Sequence, residues 1–238
     1  GVTRERTTRL AARALTCHPT TPPPPVCPWP RACATPAGLK TWPSLPGCDH
    51  LVLVRWWRGA TGGIAQAVIE KMVEVNPGST DKGSIRPTVF ALSNPKTQAE
   101  VTSENAIKWS EGKVIYGCGT AFPGATFNGR THMPGQVNNV YCFPGISFGA
   151  ISCKAQKLPD AIFLAAAEAV ANTLSASDIE EDRVVPHPAR IREVGLNVAA
   201  ATVLACNKAG VSTRPIGDTF DAVKEVLAKE MWDPRPSA

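Results

Sequence analysis

The sequence predicts an α/β fold: an open, mostly parallel sheet followed by C-terminal helices and preceded by a disordered N-terminal segment. Short apolar runs alternate with stretches of helical periodicity between about residues 51 and 118. Long helical patterns dominate from about residue 139 to residue 231. Residues 1–50 share neither texture, which places the predicted domain at residues 51–238.

The first fifty residues hold nearly half of the 22 prolines, and their start carries Arg4, Arg6, Arg9 and Arg13 against Glu5. Such a segment buries too little apolar surface to offset its ordering entropy, so it reads as disordered. An Arg- and Thr-rich, acid-poor start also resembles an organelle transit peptide. A third reading is that the segment is not native coding sequence, and the residues do not separate these readings.

Leu51-Val52-Leu53-Val54 has strand character, and a glycine-bearing turn follows at 59–63. Ile64, Val68, Met72 and Val75 then recur at helical spacing, with Gln66, Glu70 and Glu74 opposite, until Asn76-Pro77-Gly78 stops the helix. A second buried strand is predicted at 88–92, a helix at 102–110 and a third strand at 113–118. Strands alternating with helices imply parallel pairing and a sheet covered on both faces. Residues 119–137 read as a Gly/Pro-rich loop, and loops that long in compact domains are usually functional. Helices follow at about 139–154, 159–174, 189–209 and 219–231, with Pro159 suited to a first turn and Gly210 to the left-handed residue after a helix end.

Composition excludes some functions. The net charge of +5 is small and dispersed, and no Lys/Arg block with interleaved aromatics marks a nucleic-acid binder. No apolar run approaches the roughly 18 residues of a membrane span. The expectation is a soluble, intracellular chain whose compartment (cytoplasm, plastid or mitochondrion) is not resolved. Cys118, Cys142, Cys153 and Cys206 sit singly among apolar residues, as reduced core cysteines do. Cys17, Cys27, Cys33 and Cys48 lack the CxxC spacing of a zinc site. The histidines, His132 included, have no patterned nucleophile partner and read as solvated loop residues. Asp178, Glu180, Glu181 and Asp182 read as an exposed acidic face.

Two segments carry candidate chemistry. Ser93-Asn94-Pro95 follows the second predicted strand, and ligands of open parallel sheets bind beyond strand carboxyl ends. The Asn94 amide can donate to a carboxylate or ribose oxygen, although Asn-Pro is also an ordinary turn. Met133-Pro134-Gly135-Gln136-Val137-Asn138-Asn139 runs into an apolar helix. One asparagine suffices as a cap, leaving a second amide beside a helix start that favours anions. Between Glu111 and Asp160 the chain has no acidic residue but carries Lys113, Arg130, Lys154 and Lys157. Gly59-Ala60-Thr61-Gly62-Gly63 lacks the GxGxxG spacing of a dinucleotide fingerprint.

Phe90-Ala91-Leu92-Ser93-Asn94-Pro95 with Ala99-Glu100 resembles the malic enzyme stretch FALSNPTxxAE. Pro134-Gly135-Gln136-Val137-Asn138-Asn139-Val140-Tyr141-Cys142-Phe143-Pro144-Gly145 is similar to that family's PGQxNNxYxFPG, in matching order and spacing. The resemblance covers roughly residues 60–233. It implies a Rossmann-like NAD(P)-binding domain of an oxidoreductase of malate metabolism, one that decarboxylates malate to pyruvate and CO2 with NAD or NADP. In the full-length enzyme it further implies Mg2+ or Mn2+ as Lewis acid and a homo-oligomer. By the resemblance, Asn94 and Asn138 bind malate and Asn139 supports them. The resemblance also implies that Asn94 and Ser93 bind the cofactor, Asn94 near the nicotinamide ribose.

The departures are equally specific. The family's tyrosine acid, lysine base, malate-clamping arginine, metal carboxylates and glycine fingerprint lie upstream of the matched region, and residues 1–58 match none of them. Trp56-Trp57-Arg58 stands for a small-residue turn, Ile64-Ala65 for Phe-Thr and Ala121 for a proline. The expectation is therefore a fragment, or a truncated gene model, that is inactive alone. Its rival is a non-catalytic interaction module that keeps the fold and oligomer contacts.

Overall fold

The computed structural model describes residues 66–74 and 86–233, together with the backbone of residues 52–55. The expectations for residues 1–50, the turn at 59–63 and the helix stop at 76–78 lie outside the described residues.

The sheet has four parallel strands in the order β1 (Val52–Arg55), β2 (Thr88–Ala91), β3 (Ile115–Cys118) and β6 (Gly135–Gln136). Every residue of β2 is buried, as expected of a strand covered on both faces. Helix α1 (Gln66–Glu74) buries Ile69 and Met72 and keeps its Gln66–Glu70 hydrogen bond on the exposed side. Helix α2 (Ser103–Trp109) buries Ala106 and Ile107, and the two helices share one apolar cluster with Val89, Ala91, Tyr116 and Cys118 of the sheet. Thr102 caps α2 by accepting the Asn105 N–H, satisfying one of the helix's free donors.

The stretch expected as a structureless loop holds an antiparallel hairpin, β4 (Ala125–Phe127) with β5 (Arg130–His132). Its turn is Asn128-Gly129, at φ +47° and +77°, the left-handed pair that a two-residue type I′ hairpin requires. The Asn-Gly dipeptide between short polar-apolar runs was the available signal.

Downstream lie α3 (Phe143–Ser152), α4 (Ala161–Asn172), the short α5 (Ala176–Glu180), α6 (Ile191–Lys208) and α7 (Phe220–Glu230). Pro159 precedes α4 rather than opening it, and Gly210 follows α6 at φ +66° as expected. Helix α6 is central, with Val194, Val198, Ala199, Val203 and Cys206 buried in a second core shared with α3, α4 and α7. Gly145 and Gly149 let α3 come close: a Cβ on Gly149 would stand 2.5 Å from the Ala199 carbonyl oxygen. None of the helices among the described residues is long and apolar enough to cross a membrane.

The acidic face is half wrong. Glu180 and Glu181 are exposed, but Asp178 and Asp182 are buried. Asp178 closes a capping box with Ser175 and accepts from the His187 N–H and Arg190. Asp182 is gripped by Arg86, by Arg130 at 3.0 Å and by His132 Nδ1 at 2.7 Å. His132 is thus a buried core residue rather than a solvated one. Its partner stands fifty positions away in sequence, beyond the reach of a local reading.

Candidate functional site

Because β2, β3 and β6 are parallel neighbours, the chain segments that leave them emerge at one rim. The register pairs Ala91 with Cys118 and Cys118 with Gln136. The ladder continues one step further, with Gly119 N–H donating to Ala91 O at 2.9 Å and Val137 N–H to Cys118 O at 2.8 Å. Ser93-Asn94, Gly119-Thr120 and Val137-Asn138 therefore lie side by side. Adjacent strands are about 4.8 Å apart, so the strands feeding Asn94 and Asn138 are separated by roughly 10 Å. A small dicarboxylate or a ribose bridges such a gap.

Asn94 is exposed, follows β2 by three residues and is joined to Pro95 by a cis peptide bond. Its side-chain oxygen accepts the hydroxyl hydrogen of Thr120, which follows β3. Asn138 is exposed and extended, and its side-chain oxygen accepts the Val140 N–H at 3.0 Å, capping the short 3-10 turn Asn139–Tyr141. In both asparagines the oxygen serves the protein's own donors. The amide N–H groups are left free of those bonds and can be offered to a ligand, and amide donors suit carboxylate and ribose oxygens. Asn139 is exposed, at the first position of the same turn. Tyr141 anchors that turn by donating to the Pro186 carbonyl at 2.8 Å from a buried position.

Ser93 faces inward. It is buried, and both its N–H and its hydroxyl donate to the carboxylate of Glu100. Thr120 and Glu100 also stand at this rim, with no role evident from the sequence. A polar residue just past a strand end was the only hint of Thr120, and Glu100 was visible merely as part of a motif.

Three titratable groups beneath the rim are held protonated. Burial pushes the Cys118 thiol and the Tyr116 and Tyr141 phenols above their ordinary values. Lys96 stands two residues after Asn94, with its ammonium 5.7 Å from the centroid of the Phe122 ring. Among the described residues no group of three His, Cys, Asp or Glu side chains is arranged to hold a metal ion. The exposed side of the rim thus offers the Asn94 and Asn138 amide donors and the Lys96 ammonium, which suits binding an anion in a fixed pose, while the Glu100 carboxylate lies buried behind it.

The family model described as "Malic enzyme, NAD binding domain" matches residues 56–207, well over half of the chain. The chain belongs to the malic enzyme family. It is 34% identical over 165 residues to an NADP-dependent malic enzyme of Dictyostelium discoideum, an alignment covering 69% of this chain and 29% of that one. To a mitochondrial NAD-dependent malic enzyme of Ascaris suum it is 36% identical over 151 residues, covering 63% and 22%. The fold resembles the crystal structure of a malic enzyme from Pyrococcus horikoshii, with a TM-score of 0.51 at 27% identity over 75% of this chain and 34% of that one. The malic enzyme stretch described here thus spans less than a third of the length of those two curated relatives.

Proposed function

We propose that residues 51–238 form the cofactor-side part of an oxidoreductase that oxidatively decarboxylates malate to pyruvate and CO2. The observation that supports this most is the placement of Asn94 and Asn138 at the same carboxyl rim of a parallel sheet, each with its side-chain oxygen already engaged. In this reading the two amides donate to malate and hold it with C2 towards the nicotinamide, and Asn139 supports the turn. An amide hydrogen bond to a charged carboxylate contributes roughly 1.5–3 kcal/mol, enough for each asparagine to matter. Asn94 also reaches the nicotinamide ribose, while Ser93 serves the cofactor side by setting the backbone that carries Asn94.

The nicotinamide cofactor, NAD or NADP, would when bound supply the acceptor for the hydride leaving C2. The rim residues fit its ribose end, which wants neutral hydrogen-bond donors. The described residues do not by themselves fit a divalent cation, so none of the roles given to them runs through one. Nor does the rim supply a general base. We therefore read the described residues as insufficient for turnover, the remaining catalytic groups belonging to sequence like the more than two thirds of its relatives that lies outside the match.

The test is Asn138→Ala in an enzyme restored to the length of those relatives. A loss of about tenfold or more in kcat/KM for malate, equivalent to about 1.4 kcal/mol, is expected. An unchanged value sinks the assignment.

A further inference from the structure

We infer that Glu100 is a positioning residue for the ligand-gripping side chain of Asn94, an inference that rests on the reading of Asn94 given above. Glu100 is fully buried, at 0% exposure. Its two carboxylate oxygens take the two donors of a single residue, Ser93: Oε2 accepts the N–H at 3.3 Å, and Oε1 accepts the hydroxyl. Among the described residues no cation pairs with it. Burying an unpaired carboxylate is costly, and an apolar side chain of similar size would fill the same space without that cost. What a carboxylate adds at this position is a pair of acceptors.

Those acceptors close the base of a loop. Residues 94–98 are all exposed, whereas Ser93 before them and Ala99 and Glu100 after them are buried. Internally the loop is held by Gln98 N–H to Pro95 O at 2.8 Å and Ala99 N–H to Lys96 O at 3.2 Å, bonds that shape the short turn without anchoring it to the core. The Ser93–Glu100 pair supplies a buried anchor at the loop's base, and Asn94 is the first residue beyond it. Thr120 steadies the Asn94 side chain from the neighbouring strand end. Glu100 acts one residue back, on the backbone from which that side chain springs.

A Gln at this position can keep both contacts. Its oxygen accepts the Ser93 N–H, and its amide donates to the Ser93 hydroxyl oxygen in a reversed sense. An Ala keeps neither. A purely space-filling role for Glu100 would be impaired by Ala without any local signature at Asn94.

The experiment uses the full chain, labelled with 15N and followed by NMR without ligand and then with L-malate. Without ligand, Glu100→Ala is expected to speed hydrogen exchange of the Ser93 N–H by about tenfold or more and to collapse the two Asn94 side-chain amide signals toward their free-chain positions. Glu100→Gln should leave both within threefold of the parent, and signals from Tyr141 and α6 should not move in either variant. Should Glu100→Ala fail to fold, Ser93→Ala carries the test, because it deletes the hydroxyl bond and leaves the carboxylate; the same change at Asn94 is expected. A folded variant of either kind with unchanged Asn94 signals overturns the inference. Malate separates this result from the site reading: if Asn94 responds to Glu100 in the ligand-free arm but never to malate, the positioning contact stands and the assignment of Asn94 to malate falls.

Discussion

Thr120 donates its hydroxyl hydrogen to the side-chain oxygen of Asn94, tying the chain that leaves β2 to the chain that leaves β3. The bond orients the Asn94 amide, because it engages the oxygen and leaves both N–H groups for a ligand. Thr120→Val keeps the shape and deletes the donor. In a full-length enzyme the KM for malate is expected to rise about fivefold, the equivalent of one hydrogen bond of about 1 kcal/mol. Thr120→Ser should restore the parent value in the same steady-state assay.

Asn138 does two jobs that one substitution can separate. Aspartate caps a helical turn as well as asparagine, so Asn138→Asp keeps the bond from the Val140 N–H. It removes the amide donors and places a negative charge where a carboxylate is expected to bind. Thermal unfolding should stay within about 2 °C of the parent, since a preserved cap leaves well under 1 kcal/mol to lose. Malate kcat/KM should fall at least tenfold, by about 1.4 kcal/mol or more. Equal loss in both measurements would mean that Asn138 is only a cap.

Asp178 predicts a pH dependence. Burial pushes its carboxyl up, but the Ser175 N–H and hydroxyl, the His187 N–H and the Arg190 guanidinium together outweigh burial and hold it below the ordinary aspartate range. A depressed folded value means stability that is present above the unfolded value, about 3.9, and lost as pH falls through the folded one. Asp178→Asn should therefore be less stable than the parent at neutral pH. The gap should narrow below about pH 4 in denaturant melts. A gap that stays constant with pH would contradict this.

Packing of the helical half is tested by two glycines. Gly149→Ala forces a methyl group against the Ala199 carbonyl oxygen, which backbone cannot easily yield, and should cost about 1–3 kcal/mol. Gly195, inside α6, has no atom within 4 Å of an added Cβ, so Gly195→Ala should gain about 0.5–1 kcal/mol. Urea unfolding of the two variants measures both signs.

The chain alone is predicted to make no NAD(P)H from malate. Tyr116, Cys118 and Tyr141, three buried groups under the rim, are pushed up by burial and cannot take a proton from the substrate hydroxyl near neutral pH, and the Glu100 carboxylate is buried with both oxygens taken by Ser93. Sustained malate-dependent absorbance at the reduced-nicotinamide band would show that the chain carries a base we have not identified.

Most of the sheet was legible because its signals are local. The run from Thr88 to Ala91 is apolar and continuous as a buried parallel strand must be, and Ile69 and Met72 mark the inward face of α1. Even there, the predicted stripe through Val68 was one position off the most buried residue. Asn94 and Asn138 stood out because each sits inside a recognisable motif. Glu100 and Thr120 did not, since their value lies in what stands across from them in the folded chain. Asp182 was misread for the same reason: its strongest partner, Arg86, is 96 positions away. The hairpin at Asn128-Gly129 is a different kind of miss, because the turn residues were visible and were outweighed by the surrounding glycines and prolines.

The central claim is that Asn94 and Asn138 grip one ligand together. Titrating the 15N-labelled chain with L-malate and following both side-chain amide pairs tests it most directly. One ligand held by both predicts that the two pairs shift along a single saturation curve, with succinate, which lacks the C2 hydroxyl, binding more weakly. Two different curves, or a response from only one asparagine, would contradict it.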